Sequence, residues 1–449
     1  DFATATRFVN ALLKNGVTVM QAINEFEVLG RKYPRNSYII KTAQAFRPHI
    51  LDMFEPQDHP NDFAYPGAPP TPPYDLTGWT LALQMGVEFT RVLDDFGGPF
   101  VKVPGYAAPP TGSVQNVAKP AGYLIDHRSN NSFTLVNRLL KAGQAVYWMA
   151  TDGAIWVPGT AALPVIQAAA GPLGLNVKAL TAAPQGDAWK LDPVRIGVVD
   201  IYGGLAPTGW TRWVLEQFEF PYSVVYPQEL DQGALRSKFD VLVFPKGSIP
   251  ADLSRTTEGP VVPEEYRAMT GSVSSFRTIP QLKTFVESGG SIVSLSGPAS
   301  FAQALGVPVR NYLTIAGTST PLPREKFYVP GSLLRATIDN TQPLAYGLPP
   351  QVDMMFDNSP AYGLPPDEER KGIRSAAWFA SNDVLSSGWA WGSNFLNGGS
   401  AAIEAPIGEG KLMLLGPEVA FRGQPFGTFK LLFNALHYAR ASKTTLPQN

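Results

Sequence analysis

The histidines available for proton transfer or metal binding are His49, His59, His127 and His437. None belongs to a His-Glu-x-x-His pair, and no spacing among them supplies the three protein ligands and open position of a hydrolytic zinc site. The densest group of potential ligands is Glu55, Asp58, His59 and Asp62, in a loop. Oxygen-rich loops of this kind suit calcium or another hard cation. The spacing fits no specific metal motif, and the same residues suit a solvated loop held by Asx-type hydrogen bonds. Arg47, His49 and Asp52 lie on or beside one expected helix. His49 and Asp52 are three apart and share a face, which would orient the imidazole as a base or simply form a structural polar pair.

Other candidates follow expected strands, where the sites of open α/β sheets gather. Asp126 and His127 follow the run 122–126, and Arg128-Ser129-Asn130-Asn131-Ser132 leads into a helix whose first amides would face an anion. Asp152, in Thr151-Asp152-Gly153, follows the next strand. Asp200-Ile201-Tyr202-Gly203-Gly204 lacks the spaced glycines of a dinucleotide loop. Ser296 stands where a nucleophile would sit, but the Gly-x-Ser-x-Gly elbow is absent and no histidine partner is evident. Glu418 and Arg422 follow the last central strand and suggest a local ion pair. Aromatics cluster at Trp378-Phe379, Trp389 and Trp391, either to stack on a sugar or peptide group or to pack an insertion against the sheet.

Composition removes several classes of function. The chain has 449 residues and no cysteine, so thiolate nucleophiles, disulfides and cysteine-based metal centres are excluded. Lys+Arg is 36 against 37 for Asp+Glu, a balance that gives nucleic acid no global field to bind. No apolar run reaches membrane-spanning length. The start Asp1-Phe2-Ala3-Thr4 carries neither an initiator methionine nor a leader and reads as a processed or truncated beginning.

The elements that position these residues read as an α/β protein. The chain is long enough for more than one core. Phe8-Val9 and Leu12-Leu13 recur at helical spacing, with 48–54 a further helix. The stretch 55–74 is a proline-rich loop. Helix 78–85 and strand 87–92 follow. Strands at 122–126, 145–149, 154–157 and 176–180 alternate with helices 132–140 and 161–170, and 181–193 reads as a linker. The second half gives strands at 194–200, 222–226, 239–244, 291–296 and 411–415, with helices 209–218, 280–287, 301–305 and 427–439. The expectation is two tandem flavodoxin-like parallel-sheet domains, 1–186 and 187–449, with helices on both faces. Long loop insertions are expected at 245–279 and 306–408. Gly78-Trp79-Thr80 and Gly209-Trp210-Thr211 each lead through a helix to an aromatic turn and strand, an echo that a duplicated core would produce.

Several long segments resemble the downstream part of large bacterial zinc-carboxypeptidase-like proteins. They are 37–49, 53–60, 209–221, 326–332, Gly388-Trp389-Ala390-Trp391-Gly392, Gly416-Pro417-Glu418 and 427–434, and the resemblance they mark extends over nearly the whole chain. In such proteins an upstream domain holds the zinc ligands, the carboxylate-gripping arginine and the catalytic glutamate. None of those motifs matches here, so the resemblance implies a non-catalytic accessory portion with no cofactor of its own and zinc in the upstream domain. The second half is similar to class I glutamine amidotransferase-like domains, which use a cysteine after a strand. This chain has Ser296 near that position, and Glu418 lacks a neighbouring histidine. The resemblance also implies a secreted or periplasmic location. The expected partners are the upstream carboxypeptidase-type domain, a second copy of the chain, or a peptide or glycan. The competing readings are a carbohydrate- or peptide-binding module, and an independent hydrolase using Asp126/His127 or Ser296.

Overall fold

The computed structural model describes residues 2–254, 261–367 and 370–447. The expected insertions therefore include two stretches, 255–260 and 368–369, outside the described residues, as is Asp1. The fold is α/β, built on two large sheets with a buried helix between them. Helices α1 (Phe2–Lys14) and α2 (Arg47–Phe54) precede the first sheet. That sheet contains β1 (Gly122–Ile125), β2 (Val146–Met149), β3 (Ile155–Pro158), β4 (Asn176–Leu180) and β5 (Gly186–Leu191). Helix α3 (Asn131–Lys141) links β1 to β2, and α4 (Leu163–Leu173) links β3 to β4.

The expected parallel arrangement does not hold in this first sheet. β1 pairs antiparallel with β3 and β4, and β2 antiparallel with β3 and β5. The reason is local. Only a tight turn separates β2 from β3, with Gly153 at φ +70°, and so short a connection reverses the chain. β1 and β2 do run the same way across the α3 crossover, but β3 inserts between them. Residues 181–193 carry β5 rather than a linker. The chain's last strand, Ser442–Leu446, pairs with β5, so the C-terminal segment returns to the first sheet. Residues 87–92 form no strand, so the Gly-Trp-Thr echo marks no second copy of one core.

The second sheet begins with β6 (Ile196–Val199), β7 (Tyr222–Val225), β8 (Val241–Phe244) and β9 (Ser291–Leu295). Helices α5 (Ala206–Gln217) and α6 (Thr278–Glu287) lie among them. The segment 306–408 is not mainly loop. It supplies β10 (Ser332–Ile338), β11 (Gln351–Phe356), β12 (Arg374–Trp378) and β13 (Ser400–Ile407). β14 (Gly410–Leu415) follows. The order is β7-β6-β8-β9-β14-β13-β12-β10-β11. The first five strands are parallel and the remaining pairings along this path antiparallel. β6, β8 and β9 are wholly buried, as strands covered on both faces must be.

Helix α7 (Phe429–Tyr438) explains how the sheets hold together. All ten of its residues are buried. Phe429, Leu432, Phe433 and Leu436 join one continuous core that contains Phe133 and Trp148 from the first sheet's side and Val198 and Leu415 from the second. A separate cluster, including Leu242, Phe285, Ile292 and Leu412, covers the opposite face of the parallel strands.

Candidate functional site

Parallel pairing brings the carboxyl ends of β6, β8, β9 and β14 to one edge. Within three residues of those ends stand Asp200, Lys246, Ser296 and Glu418. Asp200 is spent on its own turn, where Oδ1 accepts from the amides of Ile201 and Leu205 at 2.9 and 3.0 Å. Ser296 has φ 55°, a left-handed conformation of the strained strand-to-helix kind seen at nucleophile elbows. Its hydroxyl donates to the Gly416 carbonyl at 2.6 Å, so its proton is directed at an amide oxygen and not at a base. Gly416 has no room for a side chain, since a Cβ would lie 2.4 Å from the Pro360 carbonyl oxygen.

Lys246 dominates this edge. Its Nζ donates to Glu418 Oε1, to Asp357 Oδ2 at 3.0 Å and to the Asp357 carbonyl at 2.9 Å. Glu418 is only 6% exposed. Burial opposes the Lys246 charge, but Glu418 and Asp357 outweigh it and raise the ammonium's pKa. Burial raises the Glu418 pKa, with Lys246 acting against the shift. The cavity left among Lys246, Ser296, Glu418 and Phe421 is about 10 Å³, space for about one water and none for a substrate. No sequence motif singles out Lys246, although it is the first polar residue after an apolar strand. Asp357 gave no comparable signal.

The expected Glu418–Arg422 pair does not form. Glu418 is taken by Lys246, while Arg422 Nη1 and Nη2 grip Asp75 at 3.0 and 2.7 Å. Asp126, His127 and Asp152 do not converge either. Asp126 binds Arg128 at 2.6 Å, and Asp152 Oδ1 caps the amide of Ala154 at 2.9 Å. His127 points inward, with Nδ1 2.6 Å from the Gly153 carbonyl and Nε2 2.8 Å from Asn434 Oδ1. Burial lowers its pKa to about 4, against the pull of those two acceptors. It is a buried tie between β1 and α7, out of reach of a substrate. The helix start behind it is closed as well: Ser132 is buried, and Asn131 Nδ2 donates to Leu173 O at 2.8 Å.

The metal candidates disperse. Glu55 pairs with Arg91 at 3.1 Å, and His59 Nδ1 lies 2.8 Å from the Pro60 carbonyl. Among the described residues no three His, Asp or Glu side chains form a group able to hold a metal, so Glu55, Asp58, His59 and Asp62 are not a shared site. No hydrogen bond joins His49 to Asp52, and His49 Nε2 is buried without a partner. Trp389 is 3% exposed and its indole donates to Asn61 Oδ1 at 2.8 Å, while Trp391 Nε1 donates to Glu325 O at 2.9 Å. Both are packing residues; Trp389 lies against His59 with ring centroids 5.1 Å apart.

That stacking instead places His59 at the wall of an open cleft beside the sealed edge. The cleft holds about 590 Å³ and is lined by Met53, His59, Tyr74, Asp75, Trp79 and Arg422, among others. Tyr74 is fully exposed and Trp79 substantially so. Arg422 itself has φ 50°, a conformation that costs about 1–3 kcal/mol. The proline-rich loop and the turn after β14 thus meet through Asp75 and Arg422. No motif in the sequence linked these two segments.

No family model matches the chain, and no curated protein does. Solved structures to which it is similar include a cytoplasmic protein of Salmonella typhimurium, at 11% identity over 55% of this chain and 98% of that one, TM-score 0.33. A ThuA-like protein from Bacteroides uniformis is 12% identical over 55% of this chain and 90% of that one, TM-score 0.30. A β-galactosidase from Rahnella sp. R3 is 12% identical over 54% of this chain and 31% of that one, TM-score 0.29. Each covers about half of this chain, in a superposition too loose to bear on activity.

Proposed function

We propose that this chain is a non-catalytic accessory portion of a zinc carboxypeptidase-like protein, with binding rather than turnover as its task. The observation that carries the reading is the Lys246–Glu418–Asp357 cluster, which occupies the edge where an amidotransferase-like sheet would need open space and an activated nucleophile. The parallel strand order, 2-1-3-4-5 by chain position, is that of a flavodoxin-like sheet and supports the amidotransferase-like assignment. The long sequence segments quoted above support the carboxypeptidase-like parent, and with it export and an upstream zinc domain as partner. No helix of the described residues is long and apolar enough to cross a membrane.

A second reading, a carbohydrate- or peptide-binding module, is favoured by the open cleft beside Tyr74 and Trp79. It is compatible with the first, because an accessory portion acts by holding a ligand near another domain's reaction. Zinc content and C-terminal trimming of model peptides by this chain alone test the proposal. The expected result is no tightly held zinc and no trimming. Stoichiometric zinc with robust trimming would overturn it.

A further inference from the structure

The charged lining of the open cleft is Asp75 and Arg422, and they are bonded to each other. Their formal charges cancel where a ligand would sit. A carboxylate or phosphate beside this fork would meet the Asp75 carboxylate as a like charge, whereas a neutral ligand would not. The fork uses Arg422 Nη1 and Nη2, one hydrogen of each, and leaves further N–H donors and carboxylate lone pairs. Gln424 adds a carboxamide, and His59, its Nδ1 engaged by the Pro60 carbonyl, keeps Nε2. The cleft therefore offers several donors and acceptors with no net charge.

Around these groups stand aromatic surfaces. Tyr74 follows Pro72-Pro73, whose fixed φ angles restrict the backbone that carries the ring. Trp79, Met53, Leu76 and Leu81 belong to the same lining. A ligand with hydroxyls around its rim and an apolar C–H face would fit both features. The volume, about 590 Å³, is within the range of small-molecule sites.

We infer that the cleft formed by Tyr74, Asp75, Trp79 and Arg422 is a binding site for neutral saccharide. The inference rests on the reading of this chain as a binding region. Sugar rings lie against Tyr74 and Trp79, and their hydroxyls bridge the Asp75–Arg422 fork.

The test is titration of the full chain with cellobiose, lactose, maltose and chitobiose, followed by tryptophan fluorescence and calorimetry. A glucuronate-containing disaccharide and a neutral proline-rich peptide serve as comparison arms. The expected result is saturable binding of at least one neutral disaccharide, weakened about tenfold in Y74A and in W79A and unchanged in Y106A, an exposed tyrosine outside the cleft. Tyr74 is fully exposed, so Y74A decides the matter if W79A folds poorly. Absence of saturation by every neutral sugar, tighter binding of either comparison ligand, or unchanged affinity in Y74A would overturn the inference. Analysis of the same mixtures for cleaved sugar separates the two readings. Cleavage would sink the non-catalytic proposal and leave the binding site standing, while lack of binding would do the reverse.

Discussion

Lys246 and Glu418 meet above the carboxyl end of β9, the strand that lies between their own. The ion pair therefore lines the same small cavity as Ser296 and occupies the edge at which α/β sheets usually bind ligands. An ammonium with two carboxylates is a stable filling, but only while every member is present.

Replacing Lys246 by methionine leaves Glu418 buried without its counter-charge. The expected cost is about 3 kcal/mol, at the low end for a broken buried pair because a third of the lysine side chain is exposed. Denaturant titration reads it as a lower midpoint with an unchanged slope. Adding E418L should recover much of the loss. A K246M midpoint equal to wild type would mean that the pair does not hold the edge.

Asp240 is a second buried carboxylate, 2% exposed, bonded to Arg195, Arg236 and Arg440. Burial alone would raise its pKa, but the arginines hold it well below the ordinary carboxylate range. A depressed carboxylate stabilises the fold above its unfolded pKa of about 3.9 and loses that contribution as pH falls toward the folded value. D240N should therefore be less stable than wild type at pH 7, and the gap should narrow below about pH 4. Thermal melts across this range would show it. A constant gap would rule out the linkage.

His437 is buried with neither ring nitrogen bonded, among Phe133, Trp148 and Phe220. Burial lowers its pKa to about 3. The unfolded chain takes up this proton near pH 6.5, so the folded state loses relative stability as pH drops from there toward 3. H437L removes an unpaired polar group and should raise stability by about 1 kcal/mol at pH 7, and by more at pH 5. A destabilised H437L at both pH values would show that the imidazole has a partner.

Trp389 was a natural candidate for ligand stacking, yet its ring is enclosed by His59, Phe63 and Tyr328. W389A should cost about 3–5 kcal/mol by opening a cavity. Y106A, at an exposed tyrosine, should stay within about 0.5 kcal/mol of wild type. Paired denaturation curves would check the contrast, and a W389A variant as stable as Y106A would contradict it.

The parallel strands were legible because each is a short, mainly apolar run, such as Val241-Leu242-Val243-Phe244, bounded by turn residues. β10 to β13 were not, because they lie within a glycine- and proline-rich stretch whose local chemistry reads as loop. Strand direction in the first sheet hinged on the turn at Gly153, which short-range pattern does not orient. Site residues were legible only by position after a strand. Position located Ser296 and Glu418 but could not show that Lys246 would neutralise one or that Gly416 would engage the other. The Asp75–Arg422 tie spans 347 positions, beyond any local pattern.

The sealed edge is tested most directly at Ser296. Intact and peptide mass measurement after exposure to a fluorophosphonate reports whether that hydroxyl acts as a nucleophile. An unmodified Ser296 is the predicted result. A stoichiometric adduct on Ser296 of the folded chain would contradict the account, because it would require an activating base and room that the Lys246–Glu418 pair denies.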